Sequence, residues 1–359
     1  MAQLDTLLKK MVSSGASDLH LSCGEPVRMR INGELKRVSK SPLDQTSMYE
    51  MMKELCRPDQ WTKFREVHEL DFAYGIQDVS RFRCNYLQQV RGPGAVFRVI
   101  PDEIIPLEKL GVPKVLASLA NLKSGLVLVT GPTGSGKSTT LAGLINLINR
   151  RHAKHIITIE DPIEFVHRSE KSFIYQREVG ADALSFSSAL HESLLQDPDV
   201  ILVGEMRDLE TISQAVTAAE MGILVFGTLH TNSAAKTMDR IIDTFPAAQK
   251  EQIRGMLSES LKAIVAQQLL KRSDKPGRVA AHEVLLHGPG LGNIIREGST
   301  PKMLSYIESG KGRGMCMMDE SLIALVKNSI VTAEDAFLKA TDKLRFEKWL
   351  HELNIPFAG

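Results

Sequence analysis

The segment GPTGSGKS at residues 131–138 matches the phosphate-binding pattern GxxxxGK[ST]. Its glycines let the backbone curl so that successive N–H groups point at phosphate oxygens, at the positive end of the helix that follows. In this pattern Lys137 reaches the β and γ phosphates, and Ser138 ligates Mg²⁺. The residues expected to bind ATP are Gly131, Thr133, Gly134, Ser135, Gly136, Lys137, Ser138 and Thr139.

The residues on either side of this loop supply the context that the pattern needs. The apolar strand LVLVT precedes it, and a helix follows whose apolar face contains Leu141, Leu144, Ile145 and Ile148. Strand, loop and helix agree, which argues against a chance glycine-rich turn. The sequence therefore predicts a site for ATP with Mg²⁺.

A carboxylate that positions water is expected at the end of a neighbouring strand, because binding alone does not hydrolyse a nucleotide. The apolar run Val200–Val203 ends in Gly204 and Glu205. Common P-loop enzymes have an aspartate before the glutamate to hold the magnesium shell, and here that position is Gly204. We expect Glu205 to activate water, to accept from the magnesium shell through water, or to do both. A solvated loop glutamate is the alternative.

Further polar groups follow two other apolar runs. In IITIEDPIE, Pro162 ends the strand, and Glu160 is the carboxylate expected to face the same crevice, near Asp161 and Glu164. Acidic residues before a proline are also common in ordinary turns. In GILVFGTLHT, His230 could sense the γ phosphate or couple it to a neighbouring subunit, whereas a purely structural histidine is equally compatible with the sequence.

These groups require a parallel sheet to position them. Four apolar runs alternate with helical stretches, as in a sheet buried on both faces, and they are Leu126–Thr130, His155–Ile159, Val200–Val203 and Ile223–Gly227. A helical tail is expected from Ala247 to the end, interrupted by a strand at Arg278–Leu285. The predicted fold class is α/β, with the ATPase domain at residues 114–359.

The first hundred residues have a different pattern. Apolar positions from Leu4 to Val12 repeat at helical spacing, and Gly15 could end that helix. Short strands follow, with a tight turn at Asn32-Gly33 and one helix around Gln45–Leu55. We predict a small α+β domain at residues 1–100. The three prolines of Pro101–Pro113 predict a linker between the domains.

One strand of this first domain carries two arginines. In SRFRCNYLQQV a period of two places Phe82, Cys84 and Tyr86 on one face and Arg81, Arg83 and Asn85 on the other. Two guanidinium groups on an exposed face suit a triphosphate, because their planar forks pair with phosphate oxygens. A solvated strand face is the alternative.

Composition narrows the class of protein. The 359 residues are 43% hydrophobic and 24% charged, which is ordinary for a soluble globular protein of two domains. Lys plus Arg number 44 and Asp plus Glu 43, so there is no basic field to favour nucleic acid. The four cysteines have no metal-ligand spacing. No apolar run approaches the roughly 20 residues of a membrane span, so we expect a cytoplasmic protein.

The segments around Lys137, Glu160, Glu205 and His230 resemble, in order and spacing, the Walker A, Asp box, atypical Walker B and His box of the type II/IV secretion ATPase superfamily. GEMRDLETI and FGTLHTNSAAKTMDRIIDTFPA resemble the type IV pilus retraction ATPases (PilT-like) in particular. The similarity extends from ASDLHLS near the start to GRVAAHEVL and GMCMMDESL near the end.

This resemblance implies a homohexamer in which ATP is held between a PAS-like N-terminal domain and a RecA-like ATPase domain. It implies Mg²⁺-dependent ATP hydrolysis that powers pilus retraction and twitching motility, with Arg81, Arg83 and Arg98 as charge-stabilising fingers. The implied partners are an inner-membrane pilus platform protein and, indirectly, pilin. They would associate the protein peripherally with the cytoplasmic face of the inner membrane.

Two segments depart from the family pattern. In ALHESLLQDPD, His191 and Leu195 replace arginines that are common in relatives, so inter-subunit salt bridges at those positions are not carried over. GLGNIIREG resembles a segment linked in the family to retraction, but Leu291 and Gly292 replace an isoleucine and an arginine. Only Asn293, Arg296 and Glu297 match the family segment and are expected to share its role. The alternative is that this segment is simply a helix with a charged face.

Three other functions are compatible with a P-loop. A pilus extension or type II secretion ATPase shares the motifs, but usually has a longer N-terminal region and a four-cysteine zinc insertion, neither of which we find in this sequence. A strand-exchange protein or helicase should show a basic groove or an aromatic platform, whereas aromatic residues make up 5% here. A nucleotide-dependent switch would bind ATP without turnover.

Overall fold

The computed structural model describes residues 3–31, 33–100 and 103–357, which fall into two units. The first unit contains the described residues up to Glu103 together with Pro162–Val166. The second contains Ile104–Asp161 and the described residues from His167 onward. Within the described ranges, no helix has the length and apolar character needed to cross a membrane.

The first unit, over its described residues, combines three helices with one antiparallel sheet. The helices are α1 (Gln3–Ser13), α2 (Gln45–Leu55) and α3 (Pro58–Val67). The strands are β1 (Ala16–Ser22), β2 (Pro26–Ile31), β3 (Glu34–Pro42), β4 (Glu69–Ile76), β5 (Ser80–Gln89) and β6 (Gly92–Ile100). Their order in the sheet is β3-β2-β1-β6-β5-β4.

Helix α1 forms as its apolar spacing predicts. Leu4, Leu8 and Met11 are fully buried along one side of it, and Gly15 follows the helix with a φ of 65°. Strands β2 and β3 are antiparallel neighbours. Asn32, of the predicted turn between them, lies outside the described residues.

The prediction of a single helix between the strands was incomplete, because α3 follows α2. Pro58 occupies the first turn of α3, and Gln60 Oε1 accepts a hydrogen bond from the Arg57 N–H at 3.1 Å. Phe64 is the buried side chain of this helix. A helix that buries so little shows no apolar stripe in the sequence.

An aromatic cluster forms the core of this unit. The ring of Tyr86 packs edge-on against Phe72, Phe64 and Phe97 at centroid distances of 5.1, 5.8 and 6.0 Å. Its hydroxyl donates to the Met52 carbonyl at 3.1 Å. The face of β5 that the sequence assigns to the core is therefore the buried one.

The second unit is a layered α/β structure. Its strands are β7 (Gly125–Thr130), β8 (His155–Glu160), β9 (Phe173–Glu178), β10 (Val200–Val203), β11 (Leu224–Leu229), β12 (Leu261–Lys271) and β13 (Arg278–Leu286). The sheet order is β13-β12-β7-β11-β10-β8-β9. Neighbouring strands are parallel except β12 and β13, which are antiparallel.

Helices surround this sheet. They are α4 (Leu116–Leu119), α5 (Lys137–Arg151), α6 (Phe186–Ser193), α7 (Leu209–Glu220), α8 (Ala234–Thr244), α9 (Lys250–Ser260), α10 (Leu291–Arg296), α11 (Lys302–Ser309), α12 (Met318–Lys327), α13 (Ala333–Lys339) and α14 (Lys343–Glu352). Every residue of β7, β10 and β11 is buried, as expected for strands covered on both faces. The predicted α/β class, with a smaller α+β unit before it, is confirmed.

The predicted helical region after Ala247 was wrong at β12. This strand runs parallel to β7 and antiparallel to β13, so it lies inside the sheet. Because it is buried on both faces, it carries apolar residues in succession, and such a run does not distinguish a strand from a helix. The edge strand β9 was also missed, since its polar and apolar residues are mixed.

The stretch predicted as a linker begins at positions 101 and 102, which lie outside the described residues. From Ile104 onward it belongs to the second unit, where Leu107 is buried beside α5. The domain bounds given by the sequence stay a prediction.

Candidate active site

The phosphate-binding loop connects the end of β7 to the start of α5. Gly134 and Gly136 have φ angles of 77° and 88°, a region that residues with a side chain rarely adopt, so glycine is required for this curl. Lys137 opens α5, and its Nζ donates to the carbonyls of Gly131 at 2.9 Å and Pro132 at 3.2 Å. The ammonium group therefore lies on the loop that would hold the phosphates.

The other predicted ATP-binding residues differ in exposure. Ser135 is buried, Thr139 is half-buried, and Thr133 and Ser138 are exposed. Ser138 lies in the first turn of α5, where the helix dipole favours anions. Its hydroxyl can thus reach a ligand at the helix N-terminus.

The sheet brings four predicted groups to one edge. The loop, His230, Glu205 and Glu160 lie at the carboxyl ends of β7, β11, β10 and β8, which are consecutive neighbours. Hydrogen bonds between backbone N–H and C=O groups connect these ends. The pairs, donor first, are Gly131 to Leu229 at 3.2 Å, Met206 to Thr228 at 3.0 Å and Gly204 to Ile159 at 2.8 Å. The carboxyl edge of a parallel sheet is the usual place for a ligand.

Glu205 is held between two basic side chains. Its Oε1 lies 2.8 Å from His230 Nε2, and the guanidinium of Arg207 forms two hydrogen bonds to the carboxylate. The Glu205 side chain is 18% exposed, against 43% for His230 and 71% for Arg207. Arg207 was not singled out from the sequence, although it lies two residues after Glu205.

These contacts fix the charge of the glutamate. Burial raises the pKa of the Glu205 carboxyl, but the neighbouring Arg207 and His230 more than offset that effect, so this pKa lies below its usual range. Glu205 is therefore a carboxylate at neutral pH, which is the form needed to accept a hydrogen bond from water.

Tight packing around Gly204 disfavours the aspartate of common P-loop enzymes. A Cβ added at this position would lie 3.0 Å from the Ile159 carbonyl oxygen and 3.2 Å from Glu160 Cα. Close packing of β10 against the end of β8 therefore favours glycine.

Glu160 is half-buried, and its carboxylate accepts hydrogen bonds from Thr158 Oγ1 at 2.6 Å and Gln176 Nε2 at 3.2 Å. These contacts tie it to β8 and β9. Glu164 lies in the segment that groups with the first unit. The shared crevice expected for these carboxylates stays a prediction.

Oxygen donors at this edge suit magnesium. The Ser138 hydroxyl and the Glu205 carboxylate are oxygen ligands, which Mg²⁺ prefers together with phosphate and water. Among the residues described, no three His, Cys, Asp or Glu side chains cluster so as to hold a metal ion.

A family model described as type II/IV secretion system protein matches residues 1–336. The chain belongs to the type II/IV secretion system protein family. Type IV pilus retraction ATPase PilT of Pseudomonas aeruginosa is 49% identical over 334 residues, which are 93% of this chain and 97% of that protein. A twitching motility protein of Neisseria gonorrhoeae is 49% identical over 312 residues, covering 87% of this chain and 83% of its own length.

A solved structure of a relative has the same fold as this chain. The crystal structure of the pilus retraction motor PilT with bound ADP matches with a TM-score of 0.89 at 42% identity, covering 97% of this chain and 99% of that one. The predicted RecA-like core with a smaller N-terminal PAS-like domain is confirmed, as is the resemblance to PilT-like ATPases.

Three arginines are expected to contact the nucleotide, and all three lie in the first unit. Arg83 pairs with Asp71 at 2.6 Å, and Arg98 pairs with Asp18 at 2.8 Å. Arg83 and Arg98 are opposite each other on β5 and β6, and Arg81 lies two residues before Arg83. Their role at the phosphates stays a prediction.

The segment that resembles the retraction ATPases, with Asn293, Arg296 and Glu297, forms α10 and its C-terminal cap. Arg296 donates to Ser258 Oγ at 2.8 Å and to Asn293 Oδ1 at 2.6 Å, while Glu297 pairs with Lys302 at 3.1 Å. Arg296 thereby connects α10 to α9, and Glu297 pairs with the start of α11.

One residue in contact with the loop was missed from the sequence. Gln267, on β12, is 2% exposed, and its side chain forms hydrogen bonds both with the loop and with α5. The signal available was a pair of glutamines inside the apolar run IVAQQLL.

Proposed function

We propose that this chain is an ATP-hydrolysing motor that powers the retraction of type IV pili. The observation that carries the proposal is the Glu205 carboxylate, held by His230 at the strand edge that also presents the phosphate-binding loop. Supporting the biological assignment, the relatives described above are named for pilus retraction and twitching motility, and one was crystallised with ADP.

The loop residues hold the substrate in this proposal. Backbone N–H groups of residues 131–138 bind the phosphates, and Lys137 leaves its loop carbonyls to contact the β and γ phosphates. Ser138, with water-mediated help from Glu205, would hold Mg²⁺ on the phosphate oxygens. When bound, that ion neutralises phosphate charge.

Glu205 acts as the group that orients water. Its carboxylate accepts a hydrogen bond from the attacking water, and His230 fixes the carboxylate through Oε1. Because Gly204 contributes no side chain, we assign this role to Glu205 alone. Glu160 supports the same edge from β8.

The N-terminal arginines complete the site on closure. We assign Arg81, Arg83 and Arg98 to the γ phosphate, so Arg83 and Arg98 exchange their present carboxylate partners for phosphate oxygens. For this proposal we keep the domain bounds predicted from the sequence, residues 1–100 and 114–359. Closing one site in a homohexamer would shift neighbouring subunits and produce mechanical work.

The setting follows from this assignment. The motor works at the cytoplasmic face of the inner membrane, where a pilus platform protein engages it and transmits its work to pilin. Its membrane association is peripheral and runs through those partners.

Purified protein provides the first test. We expect phosphate release from ATP that requires Mg²⁺, and a particle mass of six subunits by light scattering. Tight ATP binding without phosphate release by that hexamer would favour a nucleotide-dependent switch. Turnover alone is shared with extension and type II secretion ATPases, so separating those requires imaging of surface pili in cells that lack the gene.

A further inference from the structure

We propose that Gln267 is a positioning residue that sets the phosphate-binding shape of the loop at residues 131–138. Gln267 lies on β12, far from the loop in sequence. Its side chain is buried and contacts the loop. The inference rests on the proposed nucleotide site and names the residue that holds that site in shape.

Both ends of the Gln267 amide are used. Nε2 donates to the Ser135 carbonyl at 2.7 Å, and Oε1 accepts from Thr140 Oγ1 at 2.8 Å. A carbonyl can only accept, so the orientation of the amide is fixed by Ser135. One side chain thus joins the middle of the loop to the first turn of α5.

The bond to Ser135 orients a neighbouring donor. In a trans peptide the C=O and the following N–H point in opposite directions. Since the Ser135 carbonyl points at Gln267, the N–H of Gly136 points away from β12, to the side where phosphate would bind. Glutamine at this position therefore aims a phosphate donor without contacting the phosphate itself.

The packing around Gln267 shows how closely β12 approaches the loop. A Cβ added at Gly131 would lie 2.2 Å from the Gln267 carbonyl oxygen, and one added at Gly136 would lie 2.8 Å from Gln267 Nε2. The register places Ala266 beside Thr130, so residue 267 follows the chain into the loop. Two of the motif glycines are thus fitted against this one residue.

The adjacent residue provides a matched control. Gln268 is also buried on β12, but its Nε2 donates to the Lys339 carbonyl at 3.4 Å, in α13. Gln267→Met and Gln268→Met each keep side-chain length and remove one amide. Only the first removes a contact with the loop.

The experiment compares these two variants in the full chain. A fluorescent ADP analogue reports the nucleotide Kd, and thermal unfolding without nucleotide reports folding. We expect Gln267→Met to raise Kd about tenfold, equivalent to about 1.4 kcal/mol, and Gln268→Met to leave Kd within about twofold of wild type. Both variants should lower the melting temperature, because each loses a buried hydrogen bond.

Equal Kd values for wild type and Gln267→Met, or equal weakening by both variants, would overturn the inference. If the wild-type protein itself failed to bind the analogue, the proposed function would fall as well. Thr140→Val and Thr140→Ser supply a milder pair in case Gln267→Met does not fold. The valine should weaken binding more than the serine, which keeps the hydroxyl, and equal binding by the two would contradict the proposal.

Discussion

His230 Nε2 and Glu205 Oε1 lie 2.8 Å apart at the ends of two neighbouring parallel strands, β11 and β10. Each strand end alone is an ordinary polar position. Together they form a carboxylate held by an imidazole beside a phosphate-binding loop.

Replacing Glu205 should separate catalysis from binding. Glu205→Gln keeps the shape of the side chain but removes the carboxylate that orients water, so we expect kcat for ATP to fall about 10²- to 10⁴-fold. The Kd for nucleotide should stay near the wild-type value. Glu210→Gln, at an exposed position on α7, is the control, and normal phosphate release by Glu205→Gln would remove its assigned role.

His230 should affect the rate through Glu205. His230→Ala leaves one carboxylate oxygen without its imidazole partner, and we expect kcat to fall about tenfold. His230→Gln can still donate a hydrogen bond and should retain more activity. Steady-state phosphate release measures both, with exposed His351→Ala on α14 as the control. Equal loss in the alanine and glutamine variants would argue against this hydrogen bond.

Arg207 should set the acid limit of activity. Its guanidinium helps to hold the pKa of Glu205 below the usual glutamate range, against the effect of burial. Arg207→Gln removes that charge, so the pKa should rise and the acid limb of the pH profile of kcat should move to higher pH. A limb that stayed in place, or moved to lower pH, would mean that a different group controls it.

Gly204 should be intolerant of a side chain. Gly204→Ala places a Cβ against the backbone of Ile159 and Glu160, and we expect it to cost about 1–3 kcal/mol of unfolding free energy. Gly255→Ala, in the middle of α9 with open space around its Cβ, should instead stabilise the protein by about 0.4–1 kcal/mol. Urea unfolding distinguishes them, and equal effects would show that packing at Gly204 is not the constraint.

The parallel core could be predicted from the sequence because β7, β8, β10 and β11 are short apolar runs between turns and helices. Their polar end residues were therefore identifiable as candidates. The strand order could not be predicted, since periodicity does not say which strands are neighbours. The contact between Glu205 and His230 depends on that order.

Gln267 shows more clearly why part of the site could not be predicted from the sequence. Its contact with the loop depends on the register of β12 against β7, and β12 itself was expected to be helical. A strand buried on both faces lacks the alternation by which strands are recognised. Arg207 was missed for another reason, because nothing in the sequence shows that its guanidinium turns back to pair with Glu205.

Imaging of labelled surface pili in its own host, after deletion of the gene, tests most directly whether this chain drives pilus retraction. We predict cells that carry pili which extend and persist without retracting. The wild-type gene should restore retraction, and the Glu205→Gln allele should not. Cells that lost their surface pili would instead indicate an extension motor, and pili that still retracted normally would contradict the account.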